Sequence, residues 1–374
     1  MNEQFLDLDD LPKNGRVVIY GTGAAAKAVL ERIRTQRPDI TVPCLADSFR
    51  PGEAHGLPIV KRDGLSAIEG GFDLILIASA WWQDIGAGLD AQGIGPWAVA
   101  AMWLWHKYVF SDSELQAARP QLEEAEALLA TEQDREIFRF LTECRRQGSP
   151  LVDTQSICPT ITDYLQVRSS LLGHQQGQYL DFVDRKPIAT MIHAGVFDGT
   201  DCLRFLEAFP NIKAIHGFDP QGIANIKPAT LTIIEGSGRV HIHPFGLWNH
   251  SCSLPLASGG PVATFCQDDA AEQDCPRIQT VSIDEFVEEQ GIKRIDYICL
   301  DVESAEQRVL DGARRTIKNH RPQLAVCIYH LKEDFFRLPL SMAEQLENYV
   351  FHLGHYNGSL NESVLYALPA ELAD

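Results

Sequence analysis

Residues 188–209 read IATMIHAGVFDGTDCLRFLEAF. An apolar run ending at Ile192 to Ala194 enters a turn with glycines at 195 and 199, and a helical pattern follows. Strand, glycine turn and helix in that order open a parallel α/β sheet. The alternation continues downstream. IKAIHGFDP (212–220) is a strand ending on an acid, and TLTIIEGSG (230–238) and RVHIHPFGLW (239–248) read as further short strands. Residues 251–277 are largely polar, a loop and candidate lid. SIDEFVEEQG (282–291) is an amphipathic helix with Ser282 as N-cap and Glu285 at the capping-box position. IDYICLDVESAEQRVLDGARRTIKNHRP (295–322) is strand, acidic turn and helix, and QLAVCIYH (323–330) is another strand. In FHLGHYNGSLNESVLYAL (351–368), two β-like runs flank NGS and predict a closing antiparallel pair.

Working toward the N-terminus, residues 151–190 are a mixed lead-in. The stretch from Ser111 to about Arg146 is rich in Glu, Gln, Ala and Leu. Leu122, Ala125, Leu128 and Leu129 form one apolar stripe, Phe138, Phe140 and Leu141 a second patch, and Ser111 or Ser113 can cap the start. These predict two helices. Before them, RVVIYGTGAAAKAVLERI (16–33) is again strand, glycine turn and helix, and further apolar runs cover Ile40 to Ala46 and Phe72 to Ala78. The fold class is therefore α/β, with two Rossmann-like parallel-sheet domains joined by a helical segment. The divisions fall at 1–110, 111–150 and 151–374.

The chain of 374 residues carries 32 Lys+Arg against 51 Asp+Glu, a formal charge of −19. That balance argues against nucleic acid and anionic membrane as partners, since both need basic neutralisation. The opening MNEQFLDLDD lacks the apolar run of a secretory leader, and no stretch is long and apolar enough to span a bilayer. Nine scattered cysteines without a CxxC pair suit reduced thiols. The expectation is a cytoplasmic protein, with a homo-oligomer left open.

Three constellations carry chemistry. Gly21-Thr22-Gly23 with Ala26 has dinucleotide-fingerprint spacing, and Asp47 ends the next strand where ribose hydroxyls would need an acceptor. Nucleotide binding, a structural role and nucleotide-sugar binding all remain open there. Trp81, Trp82, Trp97, Trp103 and Trp105 cluster at the end of this domain, as an inter-domain joint or a ligand wall. The second constellation is Gly195, Asp198 and Gly199, with Asp219 ending the next strand. Asp219 suits the two ribose hydroxyls of an adenosine. Acids beside the glycine turn would repel a pyrophosphate, which points to S-adenosylmethionine rather than NAD; a plain turn with a solvated acid is the alternative.

The third is Asp301-Val-Glu303-Ser-Ala-Glu306, directly after the buried run Ile298 to Leu300. Three acids so placed need a divalent ion, a basic partner or an acceptor hydroxyl that loses its proton. Glu306 suits the helix start. His330 ends the following strand and faces the same crevice, so Asp301, Glu303 and His330 are the candidate catalytic residues. No residue is assigned to a metal, although a divalent ion stays possible. His193 reads as a hydrogen-bonded structural residue, and His241 and His243 share one strand face.

Together HAGVFDGTD (193–201), HGFDP (216–220), SIDEFV (282–287), IDYICLDVESAEQRVLDGA (295–313), IYH (328–330) and NESVLYAL (361–368) resemble the FkbM family of S-adenosylmethionine-dependent methyltransferases, over roughly residues 165–370. The resemblance implies a class I methyltransferase fold and O-methylation of a small-molecule or glycan acceptor such as a sugar or polyketide. It implies that Gly195, Asp198 and Gly199 line the methionine moiety, Asp219 holds the ribose, and the loop around Leu247 and Trp248 approaches the adenine. Two departures stand out. Members commonly have Asp-Val-Gly-Ala-Asn where this chain has His193-Ala194-Gly195-Val196-Phe197, and Asp-Val-Glu-Gly-Ala-Glu where Ser304 replaces the glycine. The N-terminal pieces VVIYGTG (17–23), CLADS (44–48), GLPIV (56–60) and DLILIAS (73–79) are similar to small Rossmann-like domains found beside sugar-modifying enzymes. Two rival readings are an NAD-dependent sugar-nucleotide enzyme using the Gly21 turn and a non-catalytic nucleotide-sugar-binding module.

Overall fold

The computed structural model describes residues 5–6, 8–48, 51–79, 82–100, 109–147, 177–255, 277–356 and 360–372. The chain forms two compact units, one of residues 1–109 with 147–150, the other of residues 110–146 with 151–374.

The first unit is a seven-stranded sheet of β1 (Phe5–Leu6), β2 (Val17–Tyr20), β3 (Leu45–Asp47), β4 (Gly52–Ala54), β5 (Leu57–Lys61), β6 (Leu74–Ile77) and β7 (Trp97–Ala100), in the order β1-β7-β6-β2-β3-β5-β4. All neighbours are parallel except β4. Alternation along β2 feeds two cores: Val17 and Ile19 pack with Val29, Leu30 and Ile33 of α1 (Ala24–Gln36), whereas Val18 and Tyr20 pack with Ile85 and Leu89 of α2 (Trp82–Ala91). Trp82 and Trp97 belong to this second core. Trp81, Trp103 and Trp105 lie outside the described residues.

The second unit begins with α3 (Asp112–Ala127), opened by a capping box between Ser111 and Glu114, and α4 (Glu132–Gln147). Although expected between the domains, both helices pack within this unit. Phe138 stacks on Phe335 at 4.5 Å, and the buried Arg145 donates to the Leu360 carbonyl. The unit's main sheet holds β8 (Thr190–Ala194), β9 (Ala214–Phe218), β10 (Val240–His243), β14 (Tyr297–Leu300), β15 (Gln323–Cys327), β16 (Tyr349–His355) and β17 (Ser363–Pro369). Its order is β10-β9-β8-β14-β15-β17-β16, with β17 antiparallel to both neighbours, as the NGS pattern predicts. The chain winds from β8 to β10 in one direction, then resumes at β14 on the other side of β8. Such a reversal opens a crevice at the carboxyl ends of the central strands.

The helices of this sheet are α5 (Thr200–Ala208), α6 (Pro228–Ser237), α7 (Ile283–Glu289), α8 (Glu306–Asp311), α9 (Arg314–His320) and α10 (Asp334–Gln345). TLTIIEGSG, expected as a strand, is most of α6. Pro228 at its first turn and Gly238 at its left-handed C-cap bracket a helix that the parallel β9–β10 crossover requires. The polar stretch after 250 is also partly strand. β12 (Ser253–Pro255) pairs with β13 (Arg277–Val281), which also pairs with β11 (Gly246–Leu247), while the rest of the candidate lid, 256–276, lies outside the described residues. Among the described residues no helix is long and apolar enough to cross a membrane.

Candidate functional site

The glycine turn after β8 and the acidic turn after β14 touch. Gly195 has φ +89, its N–H donates to the Phe218 carbonyl, and a Cβ there would lie 1.9 Å from the Asp301 carbonyl oxygen. Only glycine allows this approach. Gly199 serves a different purpose: a Cβ on it would meet Ile234, Thr230 and Ile226, so its clearance lets α5 pack on α6. Asp198 turns back to accept the Thr200 N–H at 3.0 Å.

Asp219, 7% exposed at the end of β9, accepts the backbone N–H groups of Phe197 (2.9 Å) and Gln221 (2.8 Å). Burial raises its pKa, and the two backbone bonds and the His193 charge offset only part of that rise. Its carboxylate is held rigidly at the crevice. Leu247, expected beside an adenine, is 3% exposed in β11, and Trp248 lies against the Arg308 guanidinium at 5.7 Å. The exposed apolar side chains in the turns around Asp219 are instead Phe197, Ile223 and Phe245.

The acids expected to be catalytic converge on His330, three residues past β15. Its Nε2 lies 3.1 Å from Asp301 Oδ1 and 3.7 Å from Glu303 Oε2, while its Nδ1 lies 2.8 Å from Glu306 Oε1. Burial alone would lower the His330 pKa. The Glu306 charge and the Asp301 contact outweigh it, and His330 titrates well above an ordinary histidine. For Asp301, burial is again the largest influence and raises the pKa, but the His330 contact and the Tyr179 hydroxyl leave it lowered. The central arrangement is thus an imidazolium between two carboxylates. Glu306 is turned inward, ion-paired to His330 and accepting the Val302 N–H at 3.0 Å, rather than merely facing solvent at the helix start.

Exposure separates the roles. The Asp301 and Glu303 side chains are 25% and 23% exposed, whereas those of His330 and Glu306 are 1% exposed. A substrate in the crevice meets the first pair and not the second. Asp301, Glu306 and His330 bring donor atoms within 4.8 Å of one another, near enough for a divalent ion. The ring, however, shows Nε2 to Asp301 and Nδ1 to Glu306, and one ion can take only one of two opposed nitrogens. The set fits a proton-bearing imidazole better than a metal centre.

Several members of the site had no sequence signal. Tyr179 donates to Asp301 Oδ2 at 2.6 Å from a segment read only as lead-in. Glu362 lies in the segment before β17, and burial followed by the Asp301 charge pushes its pKa up to about 7. Burial and the Glu306 charge push Asp334 to about 7 as well. His193 is fully buried, but neither ring nitrogen meets a hydrogen-bond partner among the described residues. It packs edge-on to Phe205 instead of being hydrogen-bonded as expected. In the first unit, Asp47 accepts the Thr22 hydroxyl at 3.1 Å and His55 Nε2 meets the Thr22 carbonyl at 3.0 Å.

The family profile described as the Methyltransferase FkbM domain matches residues 193–355, from the glycine turn through β16. The second unit carries an FkbM methyltransferase domain. It is an S-adenosylmethionine-dependent methyltransferase, accompanied by a separate N-terminal Rossmann-like sheet. Over 172 residues the chain is 27% identical to the 2-O-methyltransferase NoeI of Sinorhizobium fredii (strain NBRC 101917 / NGR234), covering 41% of this chain and 68% of that relative. The crystal structure of Methyltransferase FkbM from Methylobacillus flagellatus shares the fold. Its TM-score is 0.54 at 18% identity, covering 95% of this chain and 90% of that one. The residues present fit that cofactor: the Asp219 carboxylate, fixed at the crevice by two backbone N–H groups, would offer an acceptor to ribose hydroxyls, and the acids near Gly195 would suit a sulfonium and an amino group.

Proposed function

We propose that the chain O-methylates a hydroxyl of a sugar or similar small metabolite. The observation that carries this reading is the pair of accessible carboxylates, Asp301 and Glu303, backed by a buried imidazolium at the crevice edge beside Gly195. The similarity to a 2-O-methyltransferase supports a hydroxyl as acceptor.

S-adenosylmethionine supplies an electrophilic methyl group. The chain's task is to hold an acceptor oxygen in line with it, which accounts for much of the rate in such transfers. Gly195 lets the glycine turn pack against the acidic turn, Asp219 fixes the ribose, and Phe197, Ile223 and Phe245 offer apolar surface for the adenine. As the acceptor oxygen gained the methyl group and the S–CH3 bond broke, the hydroxyl proton would pass to Asp301 or Glu303, the accessible carboxylates. His330 already carries a proton, so it acts by holding Asp301 in place rather than as the base.

The test is calorimetric binding of S-adenosylmethionine, followed by transfer of labelled methyl groups to a panel of free sugars and glycans and their 2-deoxy analogues. Transfer that tracks a free hydroxyl supports the reading. Cofactor binding without transfer to any hydroxyl acceptor, or near-normal turnover in Asp301→Asn, overturns it.

A further inference from the structure

The Asp301 carboxylate is gripped from outside the span that matches the family profile. Tyr179 precedes residues 193–355 and Glu362 follows them. Gln178 and Tyr179 are 1% and 2% exposed. The Gln178 side-chain amide donates to Glu362 Oε2 at 2.5 Å and to Tyr179 Oη at 3.1 Å, and Tyr179 Oη lies 2.6 Å from Asp301 Oδ2.

The donors give this chain a direction. An amide nitrogen has two protons, and here they are used on Glu362 and Tyr179. The tyrosine has one proton, and with its oxygen accepting from Gln178 that proton goes to Asp301. The backbone of Tyr179 is fixed as well. Its φ is +65, its N–H donates to Tyr366 Oη at 2.9 Å, and its carbonyl accepts from Tyr297 Oη at 2.6 Å. A non-glycine residue held in a left-handed conformation by two tyrosine hydroxyls is over-determined by its surroundings, which is how strain persists at functional sites.

We propose that Tyr179, set by Gln178 and Glu362, is a positioning residue that holds the Asp301 carboxylate with Oδ2 occupied and Oδ1 turned to His330. This rests on the methyltransferase reading of the site. The flanking segments thereby complete a centre that the matched span alone leaves with one carboxylate oxygen unsupported. The other groups facing Asp301 include His193 from β8, Cys299 from β14, Cys327 of β15, whose Sγ also lies 3.5 Å from Tyr179 Oη, Tyr329 and His330 beyond β15, Glu303 in the acidic turn and Glu362.

The experiment is a carbon-13 carboxyl titration of the full chain with labelled aspartate, the Asp301 signal being identified by its loss in Asp301→Asn. Tyr179→Phe removes only the hydroxyl. Its Asp301 midpoint is expected to rise by about one pH unit, a tenfold change in proton affinity, since a carboxylate loses a short donor. Tyr366→Phe, which loosens the Tyr179 backbone, is expected to raise it by less and keeps the test alive should Tyr179→Phe not fold. Tyr349→Phe, whose hydroxyl donates to the Pro322 carbonyl, is the folded control and leaves the midpoint unchanged. An Asp301 midpoint equal to that of the native chain in whichever of the first two variants folds overturns the proposal. The titration uses neither acceptor nor cofactor. Failure of the methyltransferase reading would appear separately, as absent S-adenosylmethionine binding in the native chain.

Discussion

Gly195 and the Asp301 carbonyl are packed against each other, with 1.9 Å between that oxygen and where a Gly195 Cβ would stand. The contact couples the glycine turn after β8 to the acidic turn after β14. The Asp301 carbonyl cannot retreat easily, because the Asp301 N–H is tied to the Ala194 carbonyl at 3.0 Å and the two strands are in register beneath it. Gly195→Ala therefore meets both a backbone clash and a φ of +89. The expected cost is about 3 kcal/mol or more in denaturant unfolding, with at least a tenfold loss of S-adenosylmethionine affinity in whatever remains folded. An alanine variant of native stability and affinity would show that the turn relaxes freely.

Ser304 gives a prediction of opposite sign. This serine has φ +79, directly after Glu303 at φ +50. A left-handed conformation costs an L-residue roughly 1–2 kcal/mol, and part of that returns as the extra unfolded-state freedom of glycine. Ser304→Gly is expected to stabilise the chain by about 0.5–1 kcal/mol while leaving the positions of the acids intact. The check is the unfolding midpoint at constant denaturant slope, and a lowered midpoint would mean that the serine hydroxyl contributes more than the backbone loses.

Legibility in the sequence followed distance along the chain. Gly195, Asp219, Asp301 and His330 could be placed at one sheet edge because each ends or follows an apolar run, and a parallel sheet brings such ends together. The capping boxes at Ser111 and Ser282 were readable because their partners lie three residues away. Tyr179 and Glu362 were not, because what brings them to Asp301 is a tertiary contact 122 residues long in the first case, with no local pattern to announce it. The α6 error has a local cause: Leu231, Thr232, Ile233 and Ile234 look like a strand, and only the crossover geometry and Pro228 decide for helix. Leu247 is an apolar residue at a strand end, which a sequence alone cannot divide between pocket wall and core, and it is 3% exposed.

Glu306 is expected to matter for stability more than its place at the helix start suggests. It is the buried partner of His330 Nδ1, so Glu306→Gln leaves a buried imidazole with one acid instead of two. Breaking a buried ion pair from one side typically costs about 3–5 kcal/mol, and the retained carbonyl of Gln can still accept from Val302, so a loss near the lower end is expected. The pH dependence has a definite sign. The folded pKa of His330 is raised, so its pairing contributes fully below about 6.5 and fades as pH rises through the raised value. The gap between native and variant chains should accordingly be widest near pH 6 and shrink toward alkaline pH, while the His330 midpoint falls in proton NMR. Equal stability of the two chains at pH 6 would contradict the ion pair.

On the opposite edge of the sheet, three imidazoles share a face. His216 Nδ1 is 3.3 Å from His243 Nε2, His241 stacks on His216 at 5.5 Å, and Phe286 of α7 meets His216 edge-on. Burial first, and then the positive charge that His243 and His241 would carry, lower the His216 pKa to about 4. A histidine depressed in the folded state takes up its proton more readily when unfolded. The contribution of His216 is thus complete above about pH 6.5 and is lost as pH drops toward 4. Each pKa unit is worth about 1.4 kcal/mol, but His216 is only partly buried and solvent screening reduces the effect, so a loss of about 1–2 kcal/mol across that window is expected. His216→Gln removes the titrating ring from the middle of the cluster. Unfolding measured between pH 4 and 7 should show a shallower acid slope in this variant than in the native chain. Identical slopes would place the acid sensitivity elsewhere, with the depressed imidazoles of His243 and His193 the next groups to replace.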